Sequence, residues 1–137
     1  MVELHPAGAA LKRICADLGL PPGDAYTQDW AYELGEEYRT EAWVYKCLDA
    51  YQNRGYGSSE RCLLVEVVLD IVNDLLQQDE SVGRKAWARA VEVIQRDFSM
   101  HRAQVEYWAV VGEALEDAFV LTPLARELLT AQGGGSQ

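Results

Sequence analysis

A chain of 137 residues is one domain's worth of sequence, long enough to bury a core. Hydrophobic residues make up 49% of it, which removes disorder as the starting assumption. The formal net charge of -10 repels phosphate backbones and anionic lipid, so neither nucleic acid nor a membrane surface is an expected partner.

The predicted elements are all helical. Pro6 suits a first helical turn, and Ala10, Leu11, Ile14, Cys15 and Leu18 give that helix one apolar face. Gly19 and then Pro21-Pro22-Gly23 stop it. Asp24 or Thr27 is placed to cap a second helix through Trp30, Ala31 and Leu34, with Gly35 weakening its end. Thr40 before Glu41 opens a third, with Trp43, Val44, Cys47, Leu48 and Tyr51 turned inward. Asn53, Gly55 and Gly57 form the clearest break in mid-chain. Ser58 or Ser59 caps a fourth, and Glu60 stands near the positive end of its dipole.

The fourth helix is expected to run to Gln78 and to be the most buried. Leu63, Leu64, Val67, Val68, Ile71, Val72, Leu75 and Leu76 make a wide apolar face, while Glu66, Asp70, Asn73 or Asp74, and Gln77 make a wet stripe. Its β-branched residues do not alternate with period two, and the run is too long for a strand. Ser81-Val82-Gly83 reads as a loop. A helix over 84–98 follows, with Trp87, Ala90, Val91, Ile94 and Phe98 on one stripe. The next carries Val105, Trp108, Ala109, Gly112, Leu115 and Phe119. Thr122 caps a last short helix opened by Pro123, with Leu124, Leu128 and Leu129 on one face. This is a single all-α domain over 1–131 with a flexible Gly-rich tail over 132–137. Leu64, Val68, Ile71, Leu75, Trp87, Ile94, Trp108 and Leu115 are expected in one core.

Chemistry-bearing residues are sparse. Cys15, Cys47 and Cys62 form no C-x-x-C pair and read as reduced thiols of a cytoplasmic protein. The apolar run from Cys62 to Leu76 is interrupted by Glu66, Asp70, Asn73 and Asp74, so it does not span a bilayer. Of the two histidines, His5 lies in the lead-in, and His101 falls near a helix start, where an exposed side chain is the ordinary case. No set of His, Cys and Asp has metal-ligand spacing, so no metal is expected. No H-E-x-x-H, G-x-S-x-G or phosphate-binding glycine loop is present, and no catalytic residue is assigned.

Glu36-Glu37, Asp79-Glu80 and Glu116-Asp117 are solvated faces rather than acid/base pairs, because neighbours on a helix point apart. Asp70 and Asp74, like Glu113 and Asp117, are four apart; each pair either keeps a helix wet or meets a basic partner. Trp30, Trp43, Trp87 and Trp108 fit core stripes. Tyr26, Tyr38, Tyr45 and Tyr56 do not all fit, and the surplus between Tyr38 and Tyr56 is either a contact patch or half-buried rings with wet hydroxyls.

One stretch carries a family signature. Val91, Glu92 and Ile94, followed by Glu106, Val111, Gly112, Glu113 and Leu115, resemble the corresponding pattern of bacterial globins of the single-domain and flavohaemoglobin type. The resemblance implies a globin-like orthogonal fold of six to seven helices. It implies that the helix over 62–78 covers the distal haem face, and that Tyr32 falls near the family's distal tyrosine. The departures matter more. The family's iron-binding histidine falls on Phe98, whose ring has no lone pair to donate. Its tyrosine before V-G-E is Trp108, and its proline is Val105.

The resemblance therefore implies a globin-like frame whose haem function is lost or replaced, and no cofactor is expected. Tyr32, Leu64, Val68, Ile94, Phe98 and Trp108 would line what remains of the cavity, and His101 is the candidate substitute ligand. The leading expectation is a non-enzymatic, haem-free sensor, regulatory or protein-binding module. A haem globin using His101 or Cys62 is the second. A small acidic inhibitor or immunity-type protein that covers a basic site on an enzyme is the third. The expected partners are a protein, with a basic one matching the charge, a small apolar ligand, or a second copy of the chain.

Overall fold

Ten of the residues between Ser58 and Gln78 are withdrawn from solvent, and the other helices are arranged around that stretch. The computed structural model describes residues 6–22, 30–110 and 119–134. In chain order it has α1 (Pro6–Leu18), a 3-10 turn (Glu36–Tyr38), α2 (Glu41–Ala50), α3 (Ser58–Gln78), α4 (Glu80–Arg96), α5 (Phe98–Ala109) and α6 (Thr122–Gly134). Among the described residues there is no strand. α3 packs against α1, α2, α4 and α5, while α6 packs on α5.

Local chemistry explains most of the boundaries. α1 ends at Gly19, whose φ of 77° lets the Gly19 and Leu20 N–H groups both reach the Cys15 carbonyl. Thr40 caps α2, its Oγ1 accepting from Trp43 N at 3.3 Å. The N-cap of α3 is Gly57, not Ser58 or Ser59; its N–H donates to Glu60 Oε1 at 2.8 Å. α6 continues to Gly134, past the tail boundary expected at 131. Residues 135–137 lie outside the described residues.

Several expectations need correction. Trp30, Ala31 and Leu34 are not helical but sit in a turn. The Ala31 carbonyl accepts from Leu34 N and from Arg39 Nη1 at 2.9 Å, and Trp30 Nε1 donates to Pro21 O at 2.7 Å. Those tertiary bonds hold the segment in place of a helical ladder. The proposed caps Asp24 and Thr27, together with Tyr26, lie outside the described residues.

Ser81-Val82-Gly83 is not a loop but the first turn of α4. Asp79 Oδ1 accepts from Ser81 N at 3.1 Å and from Val82 N at 3.3 Å, capping α4 one residue after α3 ends. Gly83 is buried, and a Cβ there would stand 2.7 Å from Leu76 Cα. This glycine lets α3 and α4 cross closely and does not break the helix.

The helix expected over 84–98 stops at Arg96, and Phe98 opens α5 instead. Asp97 leaves helical geometry at φ -129°, and its carboxylate accepts from the Tyr51 hydroxyl at 2.7 Å. α5 itself ends at Val110, a non-glycine residue at φ 50°. A β-branched residue is costly there, on the order of 1–3 kcal/mol. Arg126 offsets this by donating to Ala109 O at 2.7 Å and Val110 O at 3.0 Å. Val111, Gly112, Glu113, Leu115, Glu116 and Asp117 lie outside the described residues.

Leu64, Val68, Ile71, Leu75, Trp87 and Ile94 share one core, as the stripes predict. Fully burying side chains of this size contributes roughly 1.5–3 kcal/mol each. Trp108 is only half-buried and packs on the margin of that core.

Candidate binding groove

α3 and α5 part along one edge of the fold and leave a groove of about 670 Å³. α3 supplies Glu66, Asp70, Asn73 and Asp74, and α5 supplies Ala103, Gln104, Tyr107 and Trp108. Tyr32 and Phe119 close it from the flanking turns. Trp108 and Phe119 rings lie 4.5 Å apart between centroids, and Tyr107 stands 5.6 Å from each. These are ordinary tilted and edge-on aromatic spacings.

The aromatic wall is tied down by one buried hydroxyl. Thr122 Oγ1 donates to Trp108 O at 2.7 Å and accepts from Phe119 N at 3.0 Å. Leu121 N donates to Asn73 Oδ1 at 2.9 Å, joining the same turn to α3. Tyr32 and Tyr107 are 69% and 63% exposed, so the wall presents ring surface to solvent.

The opposite wall is acidic. Asp70 and Asp74 both accept from the Arg39 guanidinium, through Nη2 and Nε respectively. Burial alone would lower the Arg39 pKa, but its hydrogen bonds and charge contacts with Asp74 and Asp70 raise it overall. The pair Asp70–Asp74 is therefore an internal anchor for the 30–39 segment as well as a groove wall. The Asp70 side chain is not part of a wet stripe; it is buried.

The six candidate cavity residues divide between two places. Tyr32 and Trp108 both line the groove, whereas Leu64, Val68, Ile94 and Phe98 lie in the core. Phe98 is 9% exposed and has the Arg102 guanidinium over its ring at 5.0 Å. The tyrosine surplus between Tyr38 and Tyr56 does not make a patch. Tyr51 and Tyr56 are buried, and Tyr38 and Tyr45 are half-buried. Tyr56 donates to Asp17 at 2.5 Å, and burial together with that carboxylate pushes its hydroxyl pKa up to about 12.

His101 is fully buried, against the expectation of an exposed side chain. Its Nδ1 lies 2.9 Å from Gln104 Oε1, and its Nε2 lies 2.6 Å from the Tyr51 hydroxyl. Gln104 Nε2 donates to Cys62 O at 2.7 Å, which leaves Oε1 to face the ring as an acceptor. Nδ1 must then carry a proton. In the neutral ring Nε2 is an acceptor, so it and Asp97 compete for the single Tyr51 proton. Burial lowers the His101 pKa, against smaller upward effects from Gln104 and Asp97.

This geometry bears on two chemical roles. Both ring nitrogens are already engaged, so His101 has no lone pair directed at an open site. Cys62 Sγ lies 4.0 Å from the protonated Nδ1, which does not act as a base toward it. Burial, and then Glu66, push the Cys62 thiol up, away from a reactive thiolate. Cys15 and Cys47 are buried free thiols. Among the described residues no three or more His, Cys, Asp or Glu are gathered to hold a metal ion.

Sequence reasoning missed Arg39, Glu66, Gln104 and Tyr107 as groove or support residues. Glu66, Asp70 and Asp74 at four-residue spacing are one edge of a helix, and that edge was visible. Nothing local pairs Arg39 with it. Together, fold and groove describe an all-helical chain with an aromatic wall facing an acidic one. No family model matches this chain, and no curated protein and no solved structure matches it either. Among the described residues no helix is long and apolar enough to cross a membrane.

Proposed function

We propose that this chain is a non-enzymatic, haem-free, globin-like protein that works by binding, with the groove between α3 and α5 as its site. A cytoplasmic sensor or regulatory role fits the reduced cysteines and the acidic surface. One observation carries the reading: a preformed groove of about 670 Å³ with exposed aromatic rings on one wall and carboxylates on the other. That volume falls within the roughly 300–1,000 Å³ of small-molecule sites. Side-chain chemistry argues against catalysis at the Cys62–His101 contact, for the protonation reasons given above.

The haem-free part rests on packing. α3 and α4 lie in direct contact, with Gly83 against Leu76, where a haem globin would hold the corresponding helices apart. Phe98 is the residue on which the resemblance puts the iron ligand, and His101 is engaged by Tyr51 and Gln104. The purified protein should therefore show no Soret band, and added haemin should bind no better than to an unrelated acidic protein. Phe98→His should not restore tight haem binding, because the space is filled. Stoichiometric haem with a six-coordinate spectrum would overturn this reading and make His101 the first ligand to test.

A further inference from the structure

We infer that Asp97, Tyr51 and His101 form a proton-operated latch, in which one proton bound at His101 Nε2 ties the end of α2 to both sides of the α4–α5 corner. The contacts run in a line. Gln104 Oε1 lies 2.9 Å from His101 Nδ1, Nε2 lies 2.6 Å from the Tyr51 hydroxyl, and that hydroxyl lies 2.7 Å from Asp97 Oδ2. Each gap at hydrogen-bond length calls for one proton. A neutral imidazole and an Asp97 carboxylate leave the line one proton short, because only the Nδ1–H and the Tyr51 O–H are present. Tyr51 then closes the contact to α5 or the contact to the corner, but not both. A proton taken from solvent onto Nε2 fills the gap. Nε2–H donates to the Tyr51 oxygen, and the Tyr51 O–H is left for Asp97. One N–H bond forms, no bond in the protein breaks, and the His–Tyr–Asp cluster passes from a single negative charge to none.

The side chains are held, so the proton moves and they do not. Arg61 of α3 donates to Tyr51 O at 3.1 Å and lies over the Tyr51 ring at 5.4 Å. Gln104 is fixed by its bond to Cys62 O, and so presents Oε1 to the imidazole. Tyr51 is the C-cap of α2, and Asp97 is the one residue between α4 and α5. The Asp97 side chain makes no capping bond to α5, which leaves its carboxylate for Tyr51. The ionisable groups facing His101 are Tyr51 from α2, Cys62 from α3, with Sγ 4.0 Å from Nδ1, and Asp97 from the corner. Burial works against the charged ring, while Gln104 and Asp97 favour it. The charged ring therefore stays inside, paired with Asp97 through Tyr51, and is not expelled.

The full chain is titrated from about pH 7.5 to 4.5 while NMR follows the imidazole signals and circular dichroism the helix content. His101→Asn tells the two histidines apart. In the wild type His101 should take up its proton with helix content held. Exchange protection of the Asp97 and Met100 amides, bonded to Ile94 O and Asp97 O, should rise several-fold as it does so. Asp97→Asn can donate its own amide proton to Tyr51, which completes the line with a neutral imidazole. In that variant His101 should titrate about one unit lower, and corner protection should no longer follow pH. Tyr51→Phe keeps the ring but cuts the line, and should also remove the pH dependence of the corner. Helix loss at the pH where His101 titrates would overturn the latch, because the charged ring would then be expelled. So would a His101 midpoint unmoved by Asp97→Asn, or a corner that follows pH alike in the wild type and Tyr51→Phe.

Discussion

Arg39 offers the sharpest test of how the fold is held. Its side chain is 9% exposed and reaches Asp70, Asp74 and the Ala31 carbonyl at once. The Asp70 side chain is 11% exposed and the Asp74 side chain 31%. Arg39→Met keeps the length and apolar stem but strips the guanidinium from a buried carboxylate. Removing one partner of a buried ion pair costs about 3–5 kcal/mol. Asp74 adds little, because a group that exposed is screened by water. The loss of the Ala31 bond is worth about 1 kcal/mol. A total near the upper end of that range should lower the melting midpoint by roughly 15–20 °C.

Urea denaturation at pH 7, followed by tryptophan fluorescence, reads the change directly. Adding Asp70→Asn to Arg39→Met should recover part of the loss, since the stranded charge is then gone. Arg39→Lys should fall in between, because an ammonium cannot fork across both carboxylates. If Arg39→Met unfolds within about 1 kcal/mol of the wild type, the buried-pair argument fails.

Two further outcomes are expected. Gly83→Ala should destabilise the chain by about 1–3 kcal/mol in the same urea assay, although alanine is the better helix former. Its Cβ meets Leu76 Cα at 2.7 Å, and a stabilised variant would mean that α3 and α4 cross differently. His101, facing Tyr51, Gln104, Cys62 and Asp97, has a folded pKa below its ordinary 6.5. Its contribution to stability is fully present above about pH 6.5 and is lost as pH falls toward the folded value. Denaturation midpoints from pH 7.5 to 4.5 should therefore drop more steeply in the wild type than in His101→Asn. Parallel curves would refute this role.

Periodicity was enough to establish the helices that carry the core. α3 is the clearest case, since its stripe of Leu, Val and Ile has no other way to be buried. The boundaries at Gly19 and Thr40 were legible for the same reason: each cap is a contact between near neighbours in the chain. Boundaries decided at long range were not. Trp30–Leu34 forgoes a helix because Arg39 and Pro21 take its polar groups, and α4 ends where Tyr51 holds Asp97. Gly83 read as a breaker because sequence shows flexibility but not the neighbour 2.7 Å from an imagined Cβ. The groove belongs to the same class. The acidic edge of α3 was visible in its spacing, and Trp108 in its stripe. Only tertiary packing set them face to face, buried His101 and closed α3 onto α4, because burial depends on what lies across the space and not on what lies along the chain.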